Sequence, residues 1–232
     1  MGDKRARHIL QVLKAGPGAT VRVGLLGGPL GLATVVRIEG ERVVLSCAFE
    51  GGVPEPPPID LLLAVPRPKV LNRLWSQLAA LGVGRIVLTN AARVERCYFD
   101  SHVLEPEIFT PRLIEGLQQA RDTRLPEVLI RRRLKPFIED ELDALFPVGL
   151  RLLADPVGVR RIGSLVSPRG EEGPARVLLA VGPEGGWVPF ELKLLRARGF
   201  EIVGIGCRTL RTDTACIGLL SVIAECMREA VV

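Results

Sequence analysis

Two polar turns near the carboxyl end of the chain contain the residues best suited to chemistry. The first is Gly182-Pro183-Glu184-Gly185-Gly186, which follows an apolar run at residues 177–181, and the second, residues 208–214, follows an apolar run at residues 202–205. A helical pattern comes after each turn, so each segment reads as a strand, a loop and a helix. Because parallel α/β sheets bind ligands at the carboxyl ends of their strands, the two turns are predicted to line a ligand crevice.

The glycines of the first turn allow the backbone to pass close to a ligand and to donate its amides. The turn lacks the spacing of a dinucleotide fingerprint, and the chain has no G-x-x-x-x-G-K-[ST] sequence, which counts against a Rossmann dehydrogenase and a P-loop NTPase. For an isolated GPEGG sequence, a tight strand-to-helix turn is the favoured interpretation. Glu184 lies near the start of the following helix, where bracing of the loop is favoured over catalysis.

The second turn contains two arginines that suit the recognition of anions. Thr212 is predicted to cap the last helix and Asp213 to complement its dipole, which leaves Arg208 and Arg211 without a local carboxylate partner. The planar guanidinium group binds phosphate and carboxylate through two parallel hydrogen bonds. Recognition of a phosphate or a carboxylate is therefore predicted at the mouth of the crevice.

The composition is that of an ordinary globular chain with a mildly basic surface. Of its 232 residues, 31 are Lys or Arg and 26 are Asp or Glu, a balance that is compatible with a nucleic-acid partner without requiring one. The chain has five cysteines without C-x-x-C spacing and only two histidines, so no metal site is predicted. Reduced, mostly buried thiols are expected in a cytoplasmic protein, and neither a signal peptide nor a membrane span is expected.

The amino-terminal part of the chain reads as a β-rich module. Strands are predicted between glycine-rich turns at residues 20–25, 31–39 and 42–49, after a short helix at residues 8–14. Short strands at this spacing suggest a small barrel. A connector with three consecutive prolines ends at Pro58, a buried-strand pattern follows at residues 59–65, and a domain boundary is predicted near residue 68.

Helical and strand patterns alternate after this boundary. Helices are predicted at residues 69–81, 105–121, 136–145, 189–198 and 214–228. Strands are predicted at residues 85–89, 127–134, 149–154, 177–181 and 202–205. Such alternation predicts an α/β fold with a parallel sheet and crossover helices.

The two turns together resemble the signature of a known family. The sequence V-G-P-E-G-G-W at residues 181–187, followed by I-G-C-R-T-L-R-T-D-T-A at residues 205–215, is similar to the carboxyl-terminal motifs of the SPOUT-class 16S rRNA (uracil-N3) methyltransferases, the RsmE family. In that family I-G-P-E-G-G-F is followed by L-G-x-R-I-L-R-x-E-T-A. The opening R-H-I-L-Q-V-L-K at residues 7–14 resembles the start of the family's PUA-like barrel.

The resemblance implies a fold, a reaction and partners. It implies a PUA-like, RNA-binding β-barrel at residues 1–68 and a SPOUT α/β domain with a carboxyl-terminal trefoil knot at residues 69–232. It also implies a cytoplasmic homodimer that uses S-adenosylmethionine to methylate uridine N3 in the 16S RNA of the small ribosomal subunit. There are two alternatives. One is a methyltransferase that acts on another RNA nucleotide, and the other is a non-catalytic RNA-binding or assembly factor that retains the fold.

The family's site residues can be placed on matching positions of this chain. Three loops would hold the cofactor, through Leu153, Ala154, Asp155, Val181, Gly182, Glu184, Gly185, Gly186, Ile205, Gly206, Thr209, Leu210 and Thr214. RNA contacts are expected from Arg5, Arg7, His8, Lys14, Arg121, Arg124 and Arg208. Arg211 is expected to stabilise the uracil oxyanion or to hold a flanking phosphate, and Asp213 is a weak candidate for the general base. Removal of the proton by water, or with the assistance of the cofactor, is equally plausible.

The chain departs from the family at several positions. The lysine and glutamate of the family's Q-K-A-T-E-L-G-V sequence are Gln77 and Ala80 here, the arginine of E-Q-S-x-R is Asp122, and the glutamate of E-T-A is Asp213. These changes fall on groups expected to face RNA, whereas the cofactor loops match. The resemblance therefore predicts methyl transfer more firmly than it predicts the target nucleotide.

Overall fold

The fold was established from a computed structural model that describes residues 2–158, 160–166 and 174–229. Residue contacts divide the chain into two compact units. The first contains Met1–Glu55 together with Arg121–Arg124, and the second contains Pro56–Ala120 together with Leu125–Val232. The sequence places a boundary near residue 68, whereas the contacts divide the chain after Glu55, because the strand at residues 59–64 belongs to the sheet of the second unit.

The first unit is built on an antiparallel sheet of three strands in the order β1-β2-β3. These strands are β1 (Thr20–Gly24), β2 (Leu30–Glu39) and β3 (Arg42–Phe49), preceded by helix α1 (Lys4–Arg7) and a π-helical turn at His8–Val12. One sheet face packs on the helix, where Ala6, Ile9, Val21, Ala33, Val35 and Val43 form a small core. The predicted β-rich module is thus confirmed, and in the described residues its sheet is open, with β1 and β3 at the edges.

Residues 121–124 reach the first unit through Thr123. The Thr123 carbonyl accepts a hydrogen bond from the Gly27 amide at 2.7 Å, and the Thr123 hydroxyl donates to the Gly28 carbonyl at 2.5 Å. Asp122 Oδ1 accepts from the amides of Thr123 and Arg124 at 2.6 and 3.0 Å, which fixes the segment as a turn. A stretch between the predicted helix and the next strand therefore belongs to the amino-terminal unit.

The second unit contains a six-stranded parallel sheet in the order β6-β5-β4-β8-β7-β9. Its strands are β4 (Ile59–Ala64), β5 (Val83–Thr89), β6 (Glu127–Arg131), β7 (Leu150–Ala154), β8 (Val177–Val181) and β9 (Glu201–Val203). Its α-helices are α2 (Pro68–Ala80), α3 (Pro106–Ala120), α4 (Leu134–Pro136), α5 (Leu142–Leu145), α6 (Gly163–Val166), α7 (Pro189–Ala197) and α8 (Thr212–Glu229). Short 3₁₀ helices lie at Arg96–Asp100 and His102–Leu104, and a π-helical turn lies at Phe137–Glu141.

The predicted α/β fold with a parallel sheet is confirmed, and some element ends differ from their predicted positions. The strand predicted to reach Leu134 ends at Arg131, since Leu134 begins α4. Helix α3 ends at Ala120 because Arg121 adopts a left-handed backbone with φ of 57°. Helix α8 begins at Thr212, two residues before its predicted start. The knotted path of the chain stays a prediction.

A buried carboxylate lies at the amino-terminal edge of this sheet. Asp60 on β4 is 1% exposed and accepts hydrogen bonds from the Arg176 guanidinium, with Nη2 at 2.9 Å from both carboxylate oxygens. Burial raises the pKa of Asp60, and the neighbouring Arg176 opposes this effect only in part. Asp60 therefore binds a proton more readily in the folded chain than in the unfolded chain.

Replacement of Asp60 by asparagine is expected to change how stability depends on pH. A carboxyl group whose pKa is higher in the folded chain contributes most to stability below its unfolded pKa of ~3.9, and loses that contribution as pH rises through the folded value. The unaltered protein should therefore gain free energy of unfolding relative to Asp60→Asn as pH falls from neutral towards ~4. Urea unfolding of both proteins across this range measures the difference, and a difference that shrinks as pH falls would contradict the assignment.

Candidate active site

The three predicted cofactor loops follow neighbouring strands, β8, β7 and β9. In the register of these strands, Leu153 lies opposite Ala180 on one side and Ile202 on the other. Because the strands are parallel, their carboxyl ends lie on one edge of the sheet. The structure therefore brings together the loops that contain Asp155, Gly182–Gly186 and Gly206–Leu210.

The loops after β7 and β9 are in direct backbone contact. The Asp155 amide donates to the Val203 carbonyl at 3.1 Å, and Asp155 Oδ1 accepts from the Val157 amide at 2.9 Å. A Cβ atom at Gly158 would lie 2.3 Å from the Val203 carbonyl carbon and 2.6 Å from the Gly204 amide nitrogen. Only glycine permits this approach, so Gly158 and Gly204 are candidate site residues that the sequence motifs did not indicate.

The loop after β8 is a tight turn braced from two other loops. The Gly186 amide donates to the Pro183 carbonyl at 2.8 Å, and Gly186 has φ of +73°, a conformation that favours glycine. Glu184 Oε1 accepts from the Arg67 amide at 3.1 Å, and Arg93 Nη1 donates to the Gly185 carbonyl. The bracing role favoured for Glu184 is therefore visible as a bond to the loop after β4.

Backbone atoms of the third loop are open to a ligand. Gly206 has φ of +96°, and a Cβ atom built there would meet no heavy atom within 4 Å. Ile205 and Leu210 are half-buried, whereas Thr209 and Thr214 are exposed. An apolar surface beside exposed backbone amides is the combination that an adenine ring needs, so these residues fit the predicted cofactor.

Within the described part of the chain, three buried polar atoms at this edge have no hydrogen-bonding partner: Thr89 Oγ1 at the end of β5, Asn90 Oδ1 and Trp187 Nε1. The Trp187 indole nitrogen lies 3.1 Å from the position of a Cβ atom at Gly182. Unpartnered buried polar groups are rare in folded proteins, and a catalytic or ligand-binding role is one of the explanations for them. They therefore mark this edge of the sheet independently of the sequence motifs.

Glu191 holds the loops after β5 and β8 together. Its carboxylate is buried and accepts from the Ala92 amide at 2.7 Å and from the Val188 amide at 2.9 Å. The spacing of Val188 and Glu191 is typical of a helix amino terminus, so the local contact could be read from sequence. The contact with Ala92 could not, because it joins residues far apart in the chain.

The two predicted catalytic side chains lie at the start of α8. Arg211 is exposed, and its side chain has no partner within the described residues, while its carbonyl accepts from the Ala215 amide at 2.8 Å. Asp213 is only 17% exposed, lies 2.9 Å from Arg73 Nη2, and accepts from the Thr214 amide at 3.0 Å. The structure therefore leaves Arg211 available and engages Asp213 with α2.

The cysteine nearest the start of α8 is unsuited to act as a nucleophile. Cys216 on α8 is buried, and burial together with the nearby Asp213 charge raises its pKa to about 12, so its thiol stays protonated at neutral pH. The expectation that the cysteines are mostly buried is wrong, since Cys47, Cys97 and Cys207 are exposed.

The predicted RNA-binding residues fall into two places. Arg5, Arg7, His8, Lys14, Arg121 and Arg124 belong to the first unit, and Arg208 belongs to the second. Arg5 is paired with Asp3 at 2.6 Å, and Arg124 Nε donates to the Pro54 carbonyl. Lys14 and Arg121 are exposed and have left-handed backbones with φ of 49° and 57°. The turn at residues 121–124 thus contributes Arg121 and Arg124 to the first unit, although the rest of that unit lies within residues 1–55.

The described ranges, residues 2–158, 160–166 and 174–229, contain neither a metal-binding cluster nor a membrane-spanning helix. No group of three or more His, Cys, Asp or Glu residues in those ranges could hold a metal ion. No helix among the same residues is long and apolar enough to cross a bilayer.

Comparison with known proteins identifies the family. The sequence profile of the RNA methyltransferase domain family matches residues 53–224. The chain is 31% identical to ribosomal RNA small subunit methyltransferase E of Treponema pallidum over 230 residues, covering 95% of this chain and 82% of that protein. It is 24% identical to ribosomal RNA small subunit methyltransferase E 1 of Borreliella burgdorferi, covering 94% and 88%.

A solved structure supports the fold assignment. Ribosomal RNA small subunit methyltransferase E from Neisseria gonorrhoeae, bound to S-adenosyl methionine, superposes with a TM-score of 0.75 at 22% identity, covering 97% of this chain and 90% of that one. At this identity the likeness establishes the shared fold, and the domain profile and the Treponema relative establish the family. The chain belongs to the ribosomal RNA small subunit methyltransferase E family.

Proposed function

We propose that the protein methylates uridine N3 in small-subunit ribosomal RNA with S-adenosylmethionine as methyl donor. Family membership supports the reaction class. The observation that carries the proposal is the meeting of the three motif-bearing loops at the ends of β8, β7 and β9, two of them in backbone contact at Gly158 and Gly204. This arrangement supports a cofactor site at the edge of the sheet where α/β folds bind ligands.

The cofactor would be held by the three loops. Leu153, Ala154 and Asp155 would supply one wall, the turn from Val181 to Gly186 a second, and Ile205, Gly206, Thr209 and Leu210 the third, with Thr214 at the start of α8. When bound, S-adenosylmethionine supplies a methyl group already activated by its sulfonium. The loops then have two tasks, which are to orient that group and to exclude water.

Arg211 is proposed to act on the target base. Loss of the proton from uracil N3 places negative charge on the two flanking carbonyl oxygens, and a guanidinium group stabilises such charge in a site that excludes water. Arg211 suits this role because its side chain is free within the described residues while its backbone is fixed by α8. Asp213 is a poorer choice for the base, because Arg73 and the Thr214 amide already engage its carboxylate.

Arg73 is expected to position Arg211 through Asp213. Replacement of Arg73 by alanine should loosen the placement of Asp213 at the start of α8, and we expect kcat to fall by about 2- to 5-fold, because an ion pair with a mostly exposed partner is worth at most ~1 kcal/mol. Arg73→Lys should recover part of the loss because it keeps the charge. Steady-state kinetics on rRNA and titration of S-adenosylmethionine measure both effects. A change in cofactor affinity that equals the change in kcat would assign Arg73 to the cofactor site instead.

The proposal extends to the RNA partner, the assembly and the compartment. Arg5, Arg7, His8, Lys14, Arg121 and Arg124 of the first unit and Arg208 of the second are proposed to contact the ribosomal RNA. The protein is proposed to be a cytoplasmic homodimer with a knotted second domain and a barrel-like first one, as the family resemblance implies.

Mass-spectrometric mapping of methylated nucleosides tests the function. Ribosomal RNA from cells that lack the protein should lack one N3-methyluridine in the small-subunit RNA, and the purified protein with S-adenosylmethionine should restore it. Restoration of a different methylated nucleotide would redirect the target. Failure of the protein to bind S-adenosylmethionine in calorimetry would favour a non-catalytic RNA-binding factor.

A further inference from the structure

Further arginines lie along the sheet edge that contains the candidate active site, in the loops after β4, β5 and β6. They are Arg67, Arg93, Arg96, Arg132 and Arg133. The strand register explains their proximity, since Ala64 at the end of β4 lies opposite Thr89, and Thr89 lies opposite Arg131 at the end of β6. Loops after neighbouring parallel strands start side by side, so these arginines share one edge of the second unit.

Contacts between the loops hold this edge in place. The Arg132 guanidinium lies 5.5 Å from the centre of the Phe99 ring, donates to the Phe99 carbonyl at 3.1 Å, and pairs with Asp100 at 3.6 Å. The loop after β6 is thereby fixed to the 3₁₀ helix Arg96–Asp100. A surface whose loops are fixed in this way can bind a partner with little loss of conformational entropy.

The same edge is continuous with the cofactor loop. The Arg67 amide donates to Glu184, and Arg93 Nη1 donates to the Gly185 carbonyl. Three strand spacings separate β6 from β8, a distance of about 14 Å, which a few nucleotides of single-stranded RNA can span. A polymer with one residue in the active site can therefore lie across the loops after β4, β5 and β6.

The charges of Arg96 and Arg133 are available to such a partner. Both side chains are exposed, and neither has a partner within the described residues. The nearby carboxylates are already engaged, since Glu95 accepts from the Tyr98 hydroxyl at 3.2 Å and Asp100 pairs with Arg132. The guanidinium groups of Arg96 and Arg133 are therefore exposed and form no ion pair within the described residues.

We propose that Arg96 and Arg133 bind the phosphates of the RNA strand next to the methylated nucleotide. The inference rests on the proposed function, because that function places an RNA nucleotide in the active site. Guanidinium groups bind phosphate oxygens through two parallel hydrogen bonds, and each phosphate contact releases counterions. The surface positions the RNA and carries no sequence information by itself.

The salt dependence of RNA binding tests the proposal. In vitro transcribed small-subunit rRNA is titrated with the purified protein and with the Arg96→Gln/Arg133→Gln variant over a series of KCl concentrations. Loss of two phosphate contacts should reduce the slope of log Kobs against log salt concentration by roughly 1.5, and should weaken binding at least about 10-fold at low salt. The Kd for S-adenosylmethionine and the kcat at saturating RNA should not change.

Arg112→Gln serves as the matched control. Arg112 is an exposed arginine of the second unit that pairs with Glu115 on α3 at 3.2 Å, so its loss should leave the slope unchanged. Equal slopes for the double variant and the unaltered protein would overturn the inference while leaving the proposed function intact. Loss of cofactor binding in the double variant would also overturn it, by assigning these arginines to the cofactor site. If the unaltered protein binds rRNA but does not methylate it, the proposed function fails. The comparison of slopes then still tests whether Arg96 and Arg133 bind RNA phosphates.

Discussion

Replacement of Arg211 by alanine is expected to lower kcat/KM for rRNA methylation by about 100-fold or more. Loss of one group that stabilises an oxyanion costs about 10²–10³ in rate in well-studied enzymes. The backbone of Arg211 lies at the start of α8, where its carbonyl accepts from the Ala215 amide at 2.8 Å, so removal of the side chain should leave the loop in place. Steady-state kinetics with ribosomal RNA and calorimetry with S-adenosylmethionine measure the two quantities separately.

Two further measurements define the role of Arg211. Its replacement by lysine keeps the charge and removes the planar fork, so partial activity is expected. The Kd for S-adenosylmethionine should stay within about twofold of the unaltered value in both variants, a change of at most ~0.4 kcal/mol. If cofactor affinity fell as far as activity, Arg211 would belong to the cofactor site and the proposed role in charge stabilisation would be wrong.

Replacement of Gly158 by alanine is expected to weaken S-adenosylmethionine binding by about 5- to 100-fold. The added Cβ atom would lie 2.3 Å from the Val203 carbonyl carbon and 2.6 Å from the Gly204 nitrogen, and both are backbone atoms that cannot rotate away. The loops after β7 and β9 must then separate, and overpacking of this kind costs about 1–3 kcal/mol, which is up to ~100-fold in affinity if it falls on the ligand site. Calorimetric titration measures the affinity.

Gly163→Ala provides the control for this variant. A Cβ atom at Gly163 would lie 3.5 Å from the Cys226 sulfur, an ordinary contact, so cofactor affinity and thermal stability should both be preserved. Thermal unfolding of Gly158→Ala separates a local effect from a global one. Unchanged affinity in a Gly158→Ala protein that folds normally would show that the two loops do not form the cofactor site.

Local patterns were sufficient for most of the fold. The unbroken apolar run of β8 and the turn after it could be identified because a strand buried on both faces needs continuous apolar residues. The same reasoning failed at element ends. Arg131 ends β6 and Arg121 ends α3 through a left-handed backbone, and neither residue type indicates such an end. The composition of the chain likewise gave no sign that three cysteines are exposed.

The sequence by itself determined the class of fold, the cofactor motifs and the arginine at the start of α8, because each depends on residues close together in the chain. Tertiary structure alone decided how these parts meet. The pairing of Arg73 with Asp213, the brace from Glu191 to Ala92 and the close approach of Gly158 to Gly204 each join different elements. Such contacts depend on the order of the strands in the sheet, which local residue patterns do not specify. They determine which side chains of the site are engaged and which, such as Arg211, stay available for chemistry.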